Sequence, residues 1–452
     1  MHVKLELRPH VRPSSTHNGG WSDSSRTPGL SYMPESERIW LRATMQPAPG
    51  IPQTVEFRSY YWWFGDPPCS YEWRNAIWDV PDDQLIKDPF SGDVLGARVL
   101  TTAGGVAVVT MSATESNSMA IQAVVGSDQS NWHKILFCKR VLQDVFAVYY
   151  CENGYDKPIV KRDDSRLSTY TDGNETDELA YAKDIAQTMV DANTKYRQMA
   201  WNQSHPLDSV WPDHELKPDL EIGGTKYLLV YTEFYRAGFT NGYQGETVYK
   251  DNKSKTRYVC SLMIGPDLWR WDADSFQTMC RPNAGSPTRR AESSMAALAC
   301  AHELFHAYQN RYEGGGQESW LKEGSATWAP DYPFPEADWY YSEVKAVFES
   351  PREKPFWDVP GRDAYYYGMA IFCKYLCEVW ATTGGQENPG IMRDVWASGW
   401  NANLPDDSLQ AVAQVVGVDN MKRIQAKFWQ SCKTKRFLQD NNWLPPLKEE
   451  GP

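Results

Sequence analysis

No run of this chain is long and apolar enough to cross a bilayer as a helix. The longest apolar stretches, "GVAVVTM" and "MAALACA", have the length of core segments. A basic excess is missing too. Lys and Arg number 46 against 58 Asp and Glu, a formal net charge of −12, and such a surface lacks the basic face that phosphates require. A nucleic-acid partner and a transmembrane segment are therefore not expected. The first thirty residues hold no apolar stretch of the kind that forms the centre of a secretory signal. The expectation is a protein that is cytoplasmic until export, then secreted or delivered without an N-terminal signal. The nine cysteines include no CxxC pair, which points to buried thiols rather than a thiolate metal site and leaves any disulfide pairing open. Histidine is scarce, at 8 residues, so two of them one helical turn apart stand out.

What is present describes a globular protein with 41% hydrophobic and 23% charged residues. A length of 452 residues exceeds one ordinary core and predicts two or three domains. The 20 tryptophans are read first as packing residues and second as a sticky surface. Residues 1–34, rich in Pro, Ser, Gly and His, read as a polar arm. From Ile39 the pattern alternates through Leu41, Ala43 and Met45, turns at "PAPGIP" and resumes at "TVEF". "GVAVVTMSA" and "MAIQAVVG" continue it, predicting a β-sandwich over 35–135. In residues 136–452, Leu179, Ala182, Ile185, Met189, Ala192, Tyr196 and Met199 step by three and four, the mark of an amphipathic helix. "KYLLVYTEF" and, after a polar loop, "RYVCSLMI" read as buried strands. Ser286 and Pro287 read as the start of the next helix, and the chain beyond 365 reads as mostly helical.

That next helix contains "AHELFHAYQN". Residues four apart lie on one helix face, so His302 and His306 can offer two imidazole nitrogens to one ion, with Glu303 beside them. Neutral nitrogen ligands plus a carboxylate that stays off the metal are what zinc hydrolysis uses. A third ligand is needed. The spacing that would supply a third histidine is broken, because Gln309 and Tyr312 occupy the positions of its glycine and histidine. A glycine-rich turn instead leads into "ESWLKEGSATWAP", where Glu323 lies seventeen residues after His306, with Glu318 as its rival. The bland alternative is an amphipathic helix with two half-buried histidines.

Two resemblances add to this reading. The order "LRATMQPAPGIPQTVEF … GARVLTTAGGVAVVTMSA … MAIQAVVG" resembles bacterial immunoglobulin-like repeats over about ninety residues, interrupted by "YYWWFGDPPCSYEWRNAIWDVPDD". "HELFHAYQ … WLKEGSATW … YYYGMAIFCKYL" resembles the gluzincin metallopeptidases over about 176–400. The fold implied is multidomain: an N-terminal all-β immunoglobulin-like sandwich and a C-terminal α+β zincin with a mostly helical end. The resemblance implies one Zn2+ per chain on His302, His306 and Glu323, with Glu303 as general base and Thr327 steadying the ligands from behind. It also implies a tyrosine for the oxyanion. A Tyr-x-x-Gly spacing selects Tyr365, with Tyr367 as the alternative.

The activity implied is zinc-dependent hydrolysis of peptide bonds in a protein or peptide substrate. No G-x-M-E-N segment precedes the helix, so an endopeptidase is favoured over an aminopeptidase, with "RYVCSLMI" as an edge for an extended peptide. A delivered amidase acting on peptidoglycan and an adhesin-like binding protein with a degenerate site are the alternatives. For the N-terminal domain, a secretion-apparatus or cell-surface partner is the kind expected.

Overall fold

A computed structural model describes residues 2–9, 22–23, 30–34, 38–61, 76–160, 176–199, 220–222, 224–232, 242–250, 256–268, 295–309, 319–335, 341–349, 363–381, 386–401 and 408–434. The chain divides into two compact units. One comprises residues 1–142, 147–183 and 219–240, and the other 143–146, 184–218 and 241–452. The N-terminal region is rich in β-sheet and the C-terminal region is helical.

The first unit is built on β1 (His2–Pro9), β2 (Ser22–Asp23), β3 (Leu30–Pro34), β4 (Ile39–Gln46), β5 (Thr54–Tyr61), β6 (Ala76–Trp78), β7 (Leu85–Lys87), β8 (Val94–Leu100), β9 (Val106–Ala113), β10 (Asn117–Val125), β11 (Asp128–Gln129), β12 (His133–Gln143) and β13 (Phe146–Tyr150). Two later strands, β14 (Leu220–Ile222) and β15 (Thr225–Thr232), join them. One sheet has the order β2-β1-β4-β9-β6, and the other runs β15-β13-β12-β10-β5-β8-β7 within this unit. Alternate residues of both sheets enter one core. Leu5 of β1, Leu41 of β4 and Val109 of β9 meet Phe57 of β5, Ile121 of β10 and Phe137 of β12 there. The His133 Nε2–H donates to the Leu5 carbonyl at 2.8 Å, a buried polar bond between the two layers. "YYWWFGDPPCSYEWRNAIWDVPDD" lies outside the described residues over 62–75.

Two segments differ from their expected roles. Residues 2–9 fall in the expected polar arm but form β1, paired antiparallel with β4 from His2↔Gln46 to Pro9↔Ile39. Val3, Leu5 and Leu7 are the reason: they alternate with polar residues and are buried. β12 also runs straight through residue 135, where the strand pattern places the end of the sandwich. Its Ile135 and Phe137 belong to the same core as β10.

The second unit takes in α1 (Asp177–Gln198) from Asp184 onward. Its other elements are the hairpin β16 (Gly242–Lys250) and β17 (Thr256–Ile264), then α2 (Met295–Gln309), α3 (Ser319–Trp328), α4 (Tyr341–Glu349), α5 (Asp363–Gly368), α6 (Ala370–Tyr375), α7 (Gly390–Asn401), α8 (Ser408–Val416) and α9 (Met421–Thr434). β16 occupies what reads from sequence as a polar loop. It pairs with β17 along its whole length, from Gly242↔Ile264 to Lys250↔Thr256. A strand with weak intrinsic preference forms where a partner offers it a full ladder. The α1 stripe is as expected, with Ala182, Ile185, Met189, Ala192 and Tyr196 all buried.

Every residue of α2 is buried, so this helix has no solvent face to hold its polar side chains. α1 clamps it at two points. The Tyr196 hydroxyl donates to the Ala301 carbonyl at 2.9 Å, and the Tyr308 hydroxyl donates to Asn193 Oδ1 at 2.6 Å. α3 closes the other side, with the Phe305 and Trp328 rings edge-to-face at 6.2 Å. Ser286 and Pro287 lie outside the described residues.

Candidate metal centre

The helical repeat places His302 and His306 one turn apart, and their Nε2 atoms are 3.1 Å from each other. Glu323, on α3, brings Oε2 to 3.5 Å from His302 Nε2 and 3.4 Å from His306 Nε2. Ligand atoms about 2.0–2.1 Å from a tetrahedral zinc lie about 3.3 Å from one another. The three donors thus form one face of a tetrahedron of the right size. Their chemistry fits as well: two imidazole nitrogens and a carboxylate converge on one point.

Gly324 makes this approach of α3 possible. A Cβ there would stand 2.9 Å from Met369 Cβ, so only glycine lets α3 cross so close to the α5–α6 junction. The glycine thereby holds Glu323 over α2. Glu318, the rival ligand, and Tyr312 lie outside the described residues.

Glu303 also belongs to the cluster, since ligand atoms of His302, Glu303 and His306 all lie within 4.8 Å of one another. Two carboxylates therefore compete for the third position. Glu323 is the one with an oxygen against both Nε2 atoms, while Glu303 stands one residue off the histidine stripe. Their electrostatics separate them further. Burial pushes the Glu303 carboxyl up to about 7; His302 and Lys322 pull against this and the Glu323 charge adds to it. Burial also acts to raise Glu323, but His306 and His302 together outweigh it and hold that carboxyl far below the usual range. One group stays ionised beside the histidines, and the other sits poised to exchange a proton near neutral pH.

Behind the histidines stands Gln309, a residue that sequence reasoning treats only as a departure from a histidine spacing. Its Oε1 lies 2.7 Å from His306 Nδ1, and its Nε2 donates to the Lys322 carbonyl at 2.8 Å and to Ser325 Oγ at 2.9 Å. Its position three residues after His306, on the same face, was the signal available. Thr327 does not take this role. It is buried, and its Oγ1 makes no hydrogen bond among the described residues.

The tyrosine that lies against the cluster is Tyr367, whose ring stacks on His302 at 5.8 Å between centroids and 27° between planes. Tyr365 is buried, and burial alone pushes its hydroxyl well above the usual range. Residues two apart point about 200° apart on a helix, so Tyr365 and Tyr367 face opposite ways. Gly368 lies on the Tyr365 side, and a Cβ there would run into the Glu343 carbonyl of α4. The Tyr-x-x-Gly spacing thus marks the face of α5 that packs on α4, and the face toward His302 carries Tyr367.

No family model matches this chain, and no curated protein matches it.

Proposed function

We propose that this protein is a zinc-dependent endopeptidase of the gluzincin kind, joined to an immunoglobulin-like N-terminal domain. The observation that carries the reading is the convergence of His302 Nε2 and His306 Nε2, on a fully buried helix, with Oε2 of the half-buried Glu323 of α3, at mutual distances of 3.1–3.5 Å. The motif order "HELFH … WLKEG … YYYG" supports the gluzincin reading, and the lack of the G-x-M-E-N segment with which the related aminopeptidases recognise a free amine supports an endopeptidase.

One zinc per chain would supply Lewis acidity toward the scissile carbonyl and toward an attacking water. Glu303 takes the water's proton and passes it to the departing amine, the two roles of a carboxyl that burial keeps from being a weak base. Tyr367 is assigned the oxyanion role in preference to Tyr365, on the support of its ring lying against His302. The Gln309 side chain orients His306 from behind.

The test uses the purified full chain, incubated with a cell-envelope proteome and a host proteome, with mapping of new peptide termini. Cleavage that stops on chelation and returns with zinc is the expected result. A protein that binds zinc yet generates no new termini in either proteome would overturn the peptidase reading.

A further inference from the structure

The orientation of Gln309 is set by its surroundings. The Lys322 carbonyl can only accept a hydrogen bond, so the atom 2.8 Å from it must be the amide nitrogen. The amide oxygen therefore faces His306 Nδ1 at 2.7 Å, and since that oxygen can only accept, Nδ1 must carry the proton. In neutral imidazole the other nitrogen then holds the lone pair. That nitrogen is Nε2, the atom turned toward His302 and Glu323.

The same amide group reaches across to α3. Its nitrogen also donates to Ser325 Oγ at 2.9 Å, and the Ser325 hydroxyl donates to the Leu321 carbonyl at 2.6 Å. Trp396 of α7 donates from Nε1 to the same oxygen at 3.3 Å. Gln309, Ser325 and Trp396 are all buried, so these bonds compete with little water. Lys322 and Ser325 flank Glu323 in sequence. One side chain on α2 thus fixes the proton on one proposed ligand and the backbone that carries another.

We propose that Gln309 is the positioning residue of this centre: it holds a proton on His306 Nδ1, so that Nε2 is the nitrogen left to bind an ion, and it ties α2 to the segment of α3 bearing Glu323. This rests on the zinc reading above for its purpose. The Nδ1–H···Oε1 bond itself is a property of the metal-free protein, whether or not Nε2 also carries a proton toward Glu323.

Two measurements test it. In the first, chelator-treated full-length protein carrying 15N-histidine is assigned by comparison with His306→Ala, and the imidazole tautomers are read from long-range proton–nitrogen correlations. His306 should be protonated at Nδ1. Gln309→Leu, which keeps the side-chain bulk but removes the acceptor, should shift it toward the Nε2–H form. In the second, zinc is titrated against a chromophoric chelator. Gln309→Leu should bind about 10–100-fold more weakly than wild type, the range usual for partners behind a ligand. Ser325→Ala should fall between the two.

Wild-type His306 without a proton on Nδ1, or a Gln309→Leu protein that folds and binds zinc as tightly as wild type, would overturn the proposal. If Gln309→Leu does not fold, the wild-type tautomer and the Ser325→Ala affinity decide. A wild-type protein with the Nδ1–H tautomer and no zinc affinity would sink the peptidase reading and leave the assignment of the tautomer standing.

Discussion

Replacing Glu303 by glutamine should make the metal-free protein more stable at alkaline pH and, on the proposed zinc-peptidase reading, slow its turnover greatly. The stability effect comes from the burial of one carboxyl. Glu303 is 7% exposed, and its pKa rises from 4.5 to about 7 in the folded chain. The folded state therefore holds that proton more tightly than the unfolded state does. Folding stability falls as pH rises from 4.5 toward 7 and stays lower above that. With each pKa unit worth about 1.36 kcal/mol, the penalty is about 1 kcal/mol at pH 5 and about 3 kcal/mol at pH 8. Glutamine has no proton to lose and keeps the shape and polarity of the neutral acid. Urea unfolding of chelator-treated wild type and Glu303→Gln, followed by circular dichroism, should show the variant gaining about 2 kcal/mol more at pH 8 than at pH 5. A gap of the same size at both pH values would refute the burial argument. With zinc restored, the same variant should keep its metal and lose at least about a hundredfold in turnover, the low end of what a general base contributes. Wild-type turnover in a zinc-loaded Glu303→Gln protein would remove Glu303 from the mechanism.

Metal analysis should find about one zinc per wild-type chain, and His302→Ala, His306→Ala and Glu323→Ala should each lose tight binding while Glu318→Ala retains it; zinc retained at full affinity by Glu323→Ala would transfer the third position to another carboxylate. Tyr367→Phe should lower kcat by about 10–1000-fold with little change in KM, as for loss of an oxyanion donor, whereas Tyr365→Phe should leave kcat within about threefold. The opposite ranking would restore the Tyr-x-x-Gly assignment. Lys374 is 2% exposed and bridges Asp331 at 3.2 Å and Glu378 at 2.6 Å, both buried carboxylates. Lys374→Met takes away the cation between two buried carboxylates and should cost about 3–5 kcal/mol, read as a Tm lower by about 6–20 °C for a unit of this size. An unchanged Tm would mean that the triad is not ionised as drawn.

The two levels of information divide along physical lines. Local periodicity is carried by the chain itself. The i, i+4 spacing in "HELFH" places two imidazoles on one helix face wherever that helix packs, and the three-four stripe from Leu179 to Met199 makes α1 amphipathic in any fold. The alternation from Ile39 to Met45 likewise selects which side of β4 is buried. β1 shows the limit of reading by composition. Its Val-x-Leu-x-Leu pattern was in plain view but was outweighed by the Pro, Ser and His that surround it. β16 shows another limit, since its strand character depends on a partner ladder from β17 that no local pattern encodes. Within the candidate centre, sequence supplied the residue types and their order. Which carboxylate touches both Nε2 atoms, which of three tyrosines lies over His302, and that Gln309 reaches Lys322 and Ser325 on another helix were decided only by tertiary packing. The reason is geometric: a site of this kind needs side chains from separate helices to meet within a few tenths of an ångström. Such closeness is set by how the helices cross, here at Gly324 against Met369, and not by any spacing along the chain.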